Sequence, residues 1–144
     1  MQLQVCRTAC SALAACAHAC GQKFEHLAYS LMPELFKQLI VAIVVVADAA
    51  DACMHAIVSS CHSGRLLKLF TDALLNDKNP KLRQRCAEYM HQALQEWPQS
   101  AFAREQQQLM RMGVSKAIED ASAGAPPAVN ATSAWPSVRH LTAT

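Results

Sequence analysis

The sequence predicts an all-α fold. Hydrophobic residues make up 52% of the 144-residue chain and charged residues only 17%, so a substantial core is expected and disorder is not. Glycine (4 residues) and aromatic residues (6%) are sparse while alanine and leucine abound, which favours helices over sheets. Apolar residues also recur at helical spacing along most of the chain. These features indicate one helical domain or part of one.

Two apolar stripes predict the first two helices. The first stripe stops before Gly21, a residue type that commonly ends helices. The second contains Pro33, which predicts a kink in that helix or the start of its second part. The first stripe comprises Val5, Cys6, Ala9, Cys10, Leu13, Ala17 and Cys20, and the second comprises Phe24, Leu27, Ala28, Leu31, Met32, Leu35, Phe36 and Leu39.

The third and fourth helices are expected at residues 44–59 and 65–75, on either side of the His62-Ser63-Gly64 turn. The β-branched run at residues 41–46 would also suit a strand, but the chain offers no second strand to pair with it. A helix is therefore expected there. Its core-facing residues are predicted to be Ala47, Ala50, Met54, Ile57 and Val58.

A fifth helix is expected from residue 80, with Asn79 as its N-cap and Pro80 at its first position. A sixth is expected at residues 101–118, although Gly113 weakens that prediction. Beyond residue 120 the sequence becomes rich in Ala, Ser and Pro, so residues 121–144 are expected to be a degraded last repeat or a poorly ordered tail. The apolar stripe of the fifth helix comprises Cys86, Tyr89, Met90, Ala93, Leu94 and Trp97.

Positive charge gathers around the start of the fifth helix. Lys78 and Lys81 precede the first turns, which carry Arg83 and Arg85. Cations at a helix N-terminus oppose the helix dipole and add no stability, so their position suggests an acidic partner. A solvated helix start with ordinary basic residues is the alternative. The net charge of +2 is too small to indicate nucleic acid, so electrostatic binding would depend on this local patch.

The helices form pairs that recur along the chain. The segments LMPELFKQL (31–39), RLLKLFTDAL (65–74) and QLMRMGVSKAI (108–118) each resemble the first helix of a pair, whereas VVADAADACMHAIV (45–58) and LRQRCAEYMHQALQ (82–95) resemble second helices. A recurrence every ~35–40 residues is typical of solenoid repeats and indicates a HEAT-type architecture. An unrelated α-helical bundle is the alternative.

The seven cysteines predict neither a disulfide framework nor a metal site. Their number is odd, and the Cys-x-x-Cys spacing typical of zinc hooks does not occur. The closest approach to a metal cluster is His18 near Cys16 and Cys20, for which core packing is the favoured interpretation. Reduced thiols are typical of an intracellular compartment, and no metal or cofactor is expected.

Membrane insertion and catalysis are also not expected. The apolar run at residues 39–47 is much shorter than the ~20 residues that a spanning helix needs. The segment before Cys16 resembles a lipoprotein cleavage site, but Arg7 lies too close to it to leave room for an apolar region. The Cys61–His62 and Cys86–His91 combinations supply no set of nucleophile, base and orienting group, and no glycine-rich phosphate loop occurs. We therefore expect a binding protein and not an enzyme.

Four short segments in order, GQKF (21–24), MPELF (32–36), RCAEY (85–89) and LQEWP (94–98), resemble the TOG domains of the CLASP (CLIP-associating protein) family from about residue 4 to residue 120. The resemblance implies an all-α, HEAT-repeat α-solenoid that binds αβ-tubulin or microtubules through the loops inside its helix pairs. It also implies a role in regulating microtubule dynamics, in the cytoplasm and at the microtubules of the spindle.

The resemblance assigns basic residues individually. Lys78, Arg83 and Arg85 match positions at which the family carries basic residues, and Lys81 adds charge between them. Arg7 corresponds to an arginine of the family in the segment VCRTAC, where a structural role is equally open. These five residues are the expected tubulin-binding residues.

Three departures from the family pattern qualify these expectations. Val44 stands where the family often has a lysine, and Asn130 stands near the place of an expected arginine. The chain also begins at what resembles the second helix of a pair, so residues 1–120 are expected to be a TOG-like domain truncated at the N-terminal repeat. Its stripe at residues 5–13 would then be uncovered unless other HEAT repeats of a longer chain cover it. The alternative function is a HEAT-repeat protein-interaction scaffold that has lost tubulin binding.

Overall fold

The computed structural model describes residues 2–122, and the expectations for the rest of the 121–144 segment, including Asn130, lie outside the described residues. Within residues 2–122 the fold is all-α, as predicted, and contains no strand. Its α-helices are α1 (Gln2–Cys20), α2 (Glu25–Leu39), α3 (Val44–Ser60), α4 (Gly64–Asn76), α5 (Pro80–Glu96) and α6 (Arg104–Ser122). Single turns of 3₁₀ helix, Gly21–Phe24 and Gln99–Ala101, lie between α1 and α2 and between α5 and α6.

The boundary between α1 and α2 is set by Gly21, as the sequence predicts. Gly21 follows the last residue of α1 and has a φ of +55°, a left-handed conformation that glycine adopts without steric cost. The Cys61 thiol donates a hydrogen bond to the Gly21 carbonyl at 3.2 Å. The end of α1 is therefore tied to the segment that follows α3.

Pro33 does not begin a new helix. The helix α2 runs through it from Glu25 to Leu39, although a proline cannot donate a hydrogen bond to the carbonyl of Tyr29, four residues earlier. Both Pro33 and Tyr29 are exposed, so water can replace the missing donor. Of the two alternatives for Pro33, the start of a second helical part is not observed, because an exposed turn tolerates the loss of one hydrogen bond, and a kink stays a prediction.

The β-branched run at residues 41–46 contributes a loop and the first turn of α3, not a strand. Ile43 is the N-cap of α3 in an extended conformation (φ −81°, ψ 103°), and its carbonyl accepts hydrogen bonds from Val46 and Ala47 at 3.1 Å. The residues predicted to face the core are confirmed, since all of them are buried: Ala47, Ala50, Met54, Ile57 and Val58.

The chain divides into two compact units, Met1–Leu66 and Leu67–Thr144, with the division inside α4. In the first unit, which we call the N-terminal unit, α3 packs closely against α1 and also contacts α2. In the second, the C-terminal unit, the rings of Phe70 on α4 and Tyr89 on α5 are 5.6 Å apart. The buried Thr71 hydroxyl donates to the Leu67 carbonyl at 2.9 Å, so this polar group is satisfied inside its own helix.

The predicted stripe of α5 is confirmed, except that Leu94 is only half-buried. Trp97 is buried and stacks on Phe102, with ring centroids 5.8 Å apart, which closes the connection to α6. The helix α6 continues through Gly113. A Cβ atom at Gly113 would lie 2.9 Å from the Met90 sulfur, so α6 lies close to α5 here and a larger residue would require the Met90 side chain to move.

The cysteines are free thiols with two different environments. Cys53, Cys61 and Cys86 are buried as small apolar residues, and burial raises the pKa of both Cys53 and Cys61 to about 11. Cys16 and Cys20 are exposed, so the expectation that they pack in a core is wrong. Ala17, which lies between them in sequence, is fully buried, so only part of this turn of α1 is covered.

Candidate functional site

The connection between α4 and α5, residues 77–79, is ordered by its own hydrogen bonds. We define the basic loop as residues 77–79 together with Lys81 and Arg83, which lie in the first turns of α5. The Asn79 side chain accepts a hydrogen bond from the Lys81 backbone N–H at 2.9 Å, so the predicted N-cap is confirmed. The Asp77 carboxylate accepts from the Asn79 N–H at 2.8 Å, and the Asp77 N–H continues the last turn of α4.

Arg83 contacts three groups of the C-terminal unit. Its Nε donates to the Asp120 carboxylate of α6 at 2.8 Å. Its Nη1 donates to the carbonyls of Asp77 and Lys78 at 3.0 and 3.1 Å. The Arg83 side chain is only 20% exposed. Arg83 therefore joins the basic loop to α6.

Lys78 and Lys81 are exposed on the basic loop. Within residues 2–122, neither ammonium group has a carboxylate at ion-pair distance, whereas Arg83 is neutralised by Asp120. The Asp77 carboxylate points to the backbone and not to either lysine. The positive potential of this loop therefore comes mainly from two lysines whose charges are available to a partner.

The other two predicted residues differ from the lysines. Arg85 is half-buried on α5 and forms an ion pair with Glu88 at 3.5 Å. Arg7 is exposed on α1 and belongs to the N-terminal unit, so the structure does not assign it to the basic loop. The roles predicted for the five basic residues remain predictions, but only Lys78, Lys81 and Arg83 are brought together in one loop.

The connection between α2 and α3, residues 40–43, has the opposite chemistry. Ile43 and Val44 are 51% and 66% exposed. Beside this connection lies an apolar groove of about 650 Å³, which we call the α1–α3 groove. Val5, from the stripe expected to be uncovered, is 66% exposed at its wall, whereas Cys10 further along the stripe is buried. The groove is lined by Gln2, Leu3, Val5, Cys6, Gln38, Val41, Ile43 and Val46.

Sequence reasoning missed Asp120 and Lys116. Lys116 lies one turn before Asp120 on α6 and approaches its carboxylate at 3.4 Å. The charge of Asp120 is visible in the sequence, but its partner Arg83 is 37 positions away. Only the packing of α6 against α5 brings the two side chains together.

The structure identifies no metal site and no spanning helix among residues 2–122. No group of three or more His, Cys, Asp and Glu side chains there is arranged to hold a metal ion. The ring of His18 instead shares a hydrogen bond with the Ser60 hydroxyl at 3.2 Å. In the same part of the chain, no helix combines the length and the apolar character required to cross a membrane.

The successive helices and short connections define an α-helical HEAT-repeat domain of the TOG type. Residues 3–129 match the family described as CLASP N terminal, and the chain belongs to that family. The resemblance to the CLASP family is therefore confirmed.

Individual relatives carry names of the same family. The chain is similar to a CLIP-associated protein of Arabidopsis thaliana, with 35% identity over 75 residues, covering 52% of this chain and 5% of that protein. It is also similar to CLIP-associating protein 1 of Xenopus tropicalis, with 29% identity over 125 residues, covering 87% of this chain and 8% of that protein. A CLIP-associating protein of Drosophila melanogaster is 27% identical over 125 residues. The chain thus spans less than a tenth of the length of these relatives.

Proposed function

We propose that this chain is a tubulin-binding module of a CLASP-like regulator of microtubule dynamics. It acts without catalysis, in the cytoplasm and at the microtubules of the spindle. The proposal depends on one observation above all. Lys78 and Lys81 lie exposed and without carboxylate partners in residues 2–122, on a loop that hydrogen bonds hold in one shape. Membership of the CLASP N-terminal family supports tubulin as the acidic partner.

The physical basis is electrostatic complementarity. The surface of tubulin is acidic, so the two lysines would steer encounter and favour one orientation of the complex. Exposed charges at the rim of an interface each contribute little, and salt screens them over about 10 Å at 0.1 M. Binding by this loop alone should therefore be weak and salt-dependent. Arg83, Arg85 and Arg7 are proposed to support the interaction.

Charge reversal at the basic loop tests this function. We expect Lys78→Glu/Lys81→Glu to weaken binding to tubulin by about tenfold or more at low salt, because attraction becomes repulsion. Co-sedimentation with microtubules and gel filtration with free tubulin, at low and moderate salt, measure the effect. Both side chains are exposed, so the melting temperature should change little.

Lys68→Glu is the matched control for a single reversal at Lys78. Lys68 is exposed on α4, and nine helical residues place it roughly 13 Å from Asp77 along the helix axis. If Lys68→Glu and Lys78→Glu weaken binding equally, attraction is non-specific and the basic loop is not the site. Absence of binding by the unmodified chain at low salt would reject tubulin as the partner.

A second function is favoured by the chemistry of residues 40–45. Val44 stands where the family often has a lysine, and the neighbouring surface is apolar. These features support a HEAT-repeat scaffold that has lost tubulin binding and holds another protein. Normal folding combined with no tubulin binding at low salt would support this scaffold role over the first proposal.

A further inference from the structure

We propose that Asp120 is a positioning residue for the tubulin-binding loop, although it is an acid in a site for an acidic partner. The Asp120 carboxylate holds the Arg83 guanidinium against the carbonyls of Asp77 and Lys78 and so fixes the conformation that presents Lys78. This inference deepens the proposed tubulin-binding function and rests on it.

The first support is the geometry of Arg83. A guanidinium group presents its donors in a rigid plane, so fixing one nitrogen also fixes the direction of the others. The 2.8 Å contact to Asp120 fixes Nε, and Nη1 then meets both loop carbonyls. Those carbonyls lie in the connection between α4 and α5, outside both helices, and have no helical donors. The Arg83 side chain donates the hydrogen bonds that these two carbonyls do not receive from the backbone.

The second support is the environment of Asp120. Its side chain is 18% exposed and Arg83 is 20% exposed, so salt screens this pair less than it screens the lysines. Lys116 approaches the other carboxylate oxygen at 3.4 Å, one helical turn away. The carboxylate therefore has a cation at each oxygen and a defined orientation. An aspartate placed only for solubility would not need either contact.

The positioning role and simple electrostatics predict opposite effects of Asp120→Asn on tubulin affinity. Asp120→Asn removes one negative charge near the basic loop, so the field alone would strengthen binding to an acidic surface. Positioning predicts weaker binding, because a neutral amide holds Arg83 less firmly and the loop must be ordered when tubulin binds. We expect about three- to tenfold weaker binding, the range typical of ordering a mobile surface group.

The experiment compares Asp120→Asn with Glu119→Gln in the full 144-residue chain. Both variants remove one negative charge from neighbouring positions of α6. Glu119 is 71% exposed and contacts Lys116 at 3.8 Å, but is not a partner of Arg83 among the described residues. Tubulin affinity at several salt concentrations and hydrogen exchange of the Lys78 and Asn79 amides are measured. We expect Asp120→Asn to weaken binding and speed exchange, and Glu119→Gln to do neither.

Arg83→Lys covers the case in which Asp120→Asn fails to fold. It keeps the net charge but cannot reach Asp120 and both carbonyls at once, so it should also weaken binding and speed loop exchange. Asp120→Glu, which retains the carboxylate, should recover part of the affinity lost in Asp120→Asn.

Lys78→Glu separates the two proposals. If Lys78→Glu weakens binding while Asp120→Asn and Arg83→Lys leave it unchanged or tighter, tubulin binding stands and the positioning role is overturned. If Lys78→Glu changes nothing, the proposed function fails and the positioning role fails with it.

Discussion

Two connections occupy the same place in successive helix pairs, residues 40–43 between α2 and α3 and residues 77–79 between α4 and α5. Their final residues have nearly the same backbone conformation. Ile43 has φ −81° and ψ 103°, and Asn79 has φ −81° and ψ 115°. Only Asn79 caps its helix with a side chain. The two helix starts therefore share a backbone conformation but differ in side-chain chemistry.

The different side chains give the two connections different binding chemistry. The 77–79 connection combines a cap, a carboxylate bonded to the backbone and a bridging arginine, so it can present two lysines in a fixed arrangement. The 40–43 connection ends in Ile43 and Val44, whose exposed apolar surface offers an acidic partner nothing. In this chain the shared position in the helix pair therefore does not by itself supply a charged surface.

The largest expected effect is the loss of the Arg83 network. Arg83→Ala would leave the Asp120 carboxylate half-buried beside α5 without its closest cation and would remove donors from two carbonyls. We expect the free energy of unfolding to fall by about 2–3 kcal/mol. Urea denaturation measures it.

Arg85→Ala is the matched control, because Arg85 lies on the same helix in an i,i+3 pair with Glu88. Its pair should contribute about 0.5 kcal/mol. Equal losses for both arginines would mean that the 77–79 connection is no better supported than an ordinary helix surface.

An intermediate effect is expected from adding a charge to the apolar connection. Val44→Lys should raise tubulin affinity by about two- to fivefold. It should also lower the free energy of unfolding by about 0.3–1 kcal/mol, because a cation opposes the dipole at the start of α3. Tubulin titration and urea denaturation report the two effects. Val5→Lys introduces the same charge at a site that is also 66% exposed, but on α1. A gain in affinity from Val5→Lys as large as that from Val44→Lys would argue against any special role of the connection.

The smallest effect concerns the two caps. Asn79→Ala should lower the free energy of unfolding by about 1 kcal/mol, since the Lys81 N–H loses its acceptor. Ile43→Asn should raise it by about 0.5–1 kcal/mol, because the backbone at Ile43 already has the extended conformation of an N-cap. Thermal unfolding of the two variants measures both shifts. A loss of stability in Ile43→Asn would show that the apolar contacts of Ile43 at the wall of the α1–α3 groove outweigh capping.

The parts of the fold that were predictable depend on local rules. Helical spacing of apolar residues predicted the six α-helices among residues 2–122, and the Asn79-Pro80 pair predicted the start of α5. The continuity of α2 through Pro33 could not be decided from the sequence, because it depends on the exposure of that turn, which the sequence does not display. The exposure of Cys16 and Cys20 was missed for a related reason, since their spacing shows a shared face but not whether another helix covers it.

The site was predictable only in its charges. The accumulation of Lys78, Lys81 and Arg83 at one helix start is visible in the sequence. The different tasks of these residues are not, because Arg83 acquires its task from Asp120 on another helix. The sequence alone does not distinguish a basic residue that hydrogen-bonds to the loop backbone from one that faces solvent.

The close approach at Gly113 has a consequence for the basic loop. Asp120 follows Gly113 by two helical turns, so both residues lie on the face of α6 that is turned towards α5. A side chain at residue 113 would meet the sulfur and methyl group at the flexible end of Met90, so Met90 would have to adopt another rotamer. If the core around Met90 left no room for that rotamer, α6 would have to shift on α5, and the shift would reach the Asp120 carboxylate about 10 Å further along the same face. The packing of a glycine in the core and the shape of a charged surface loop are thus connected through one helix face.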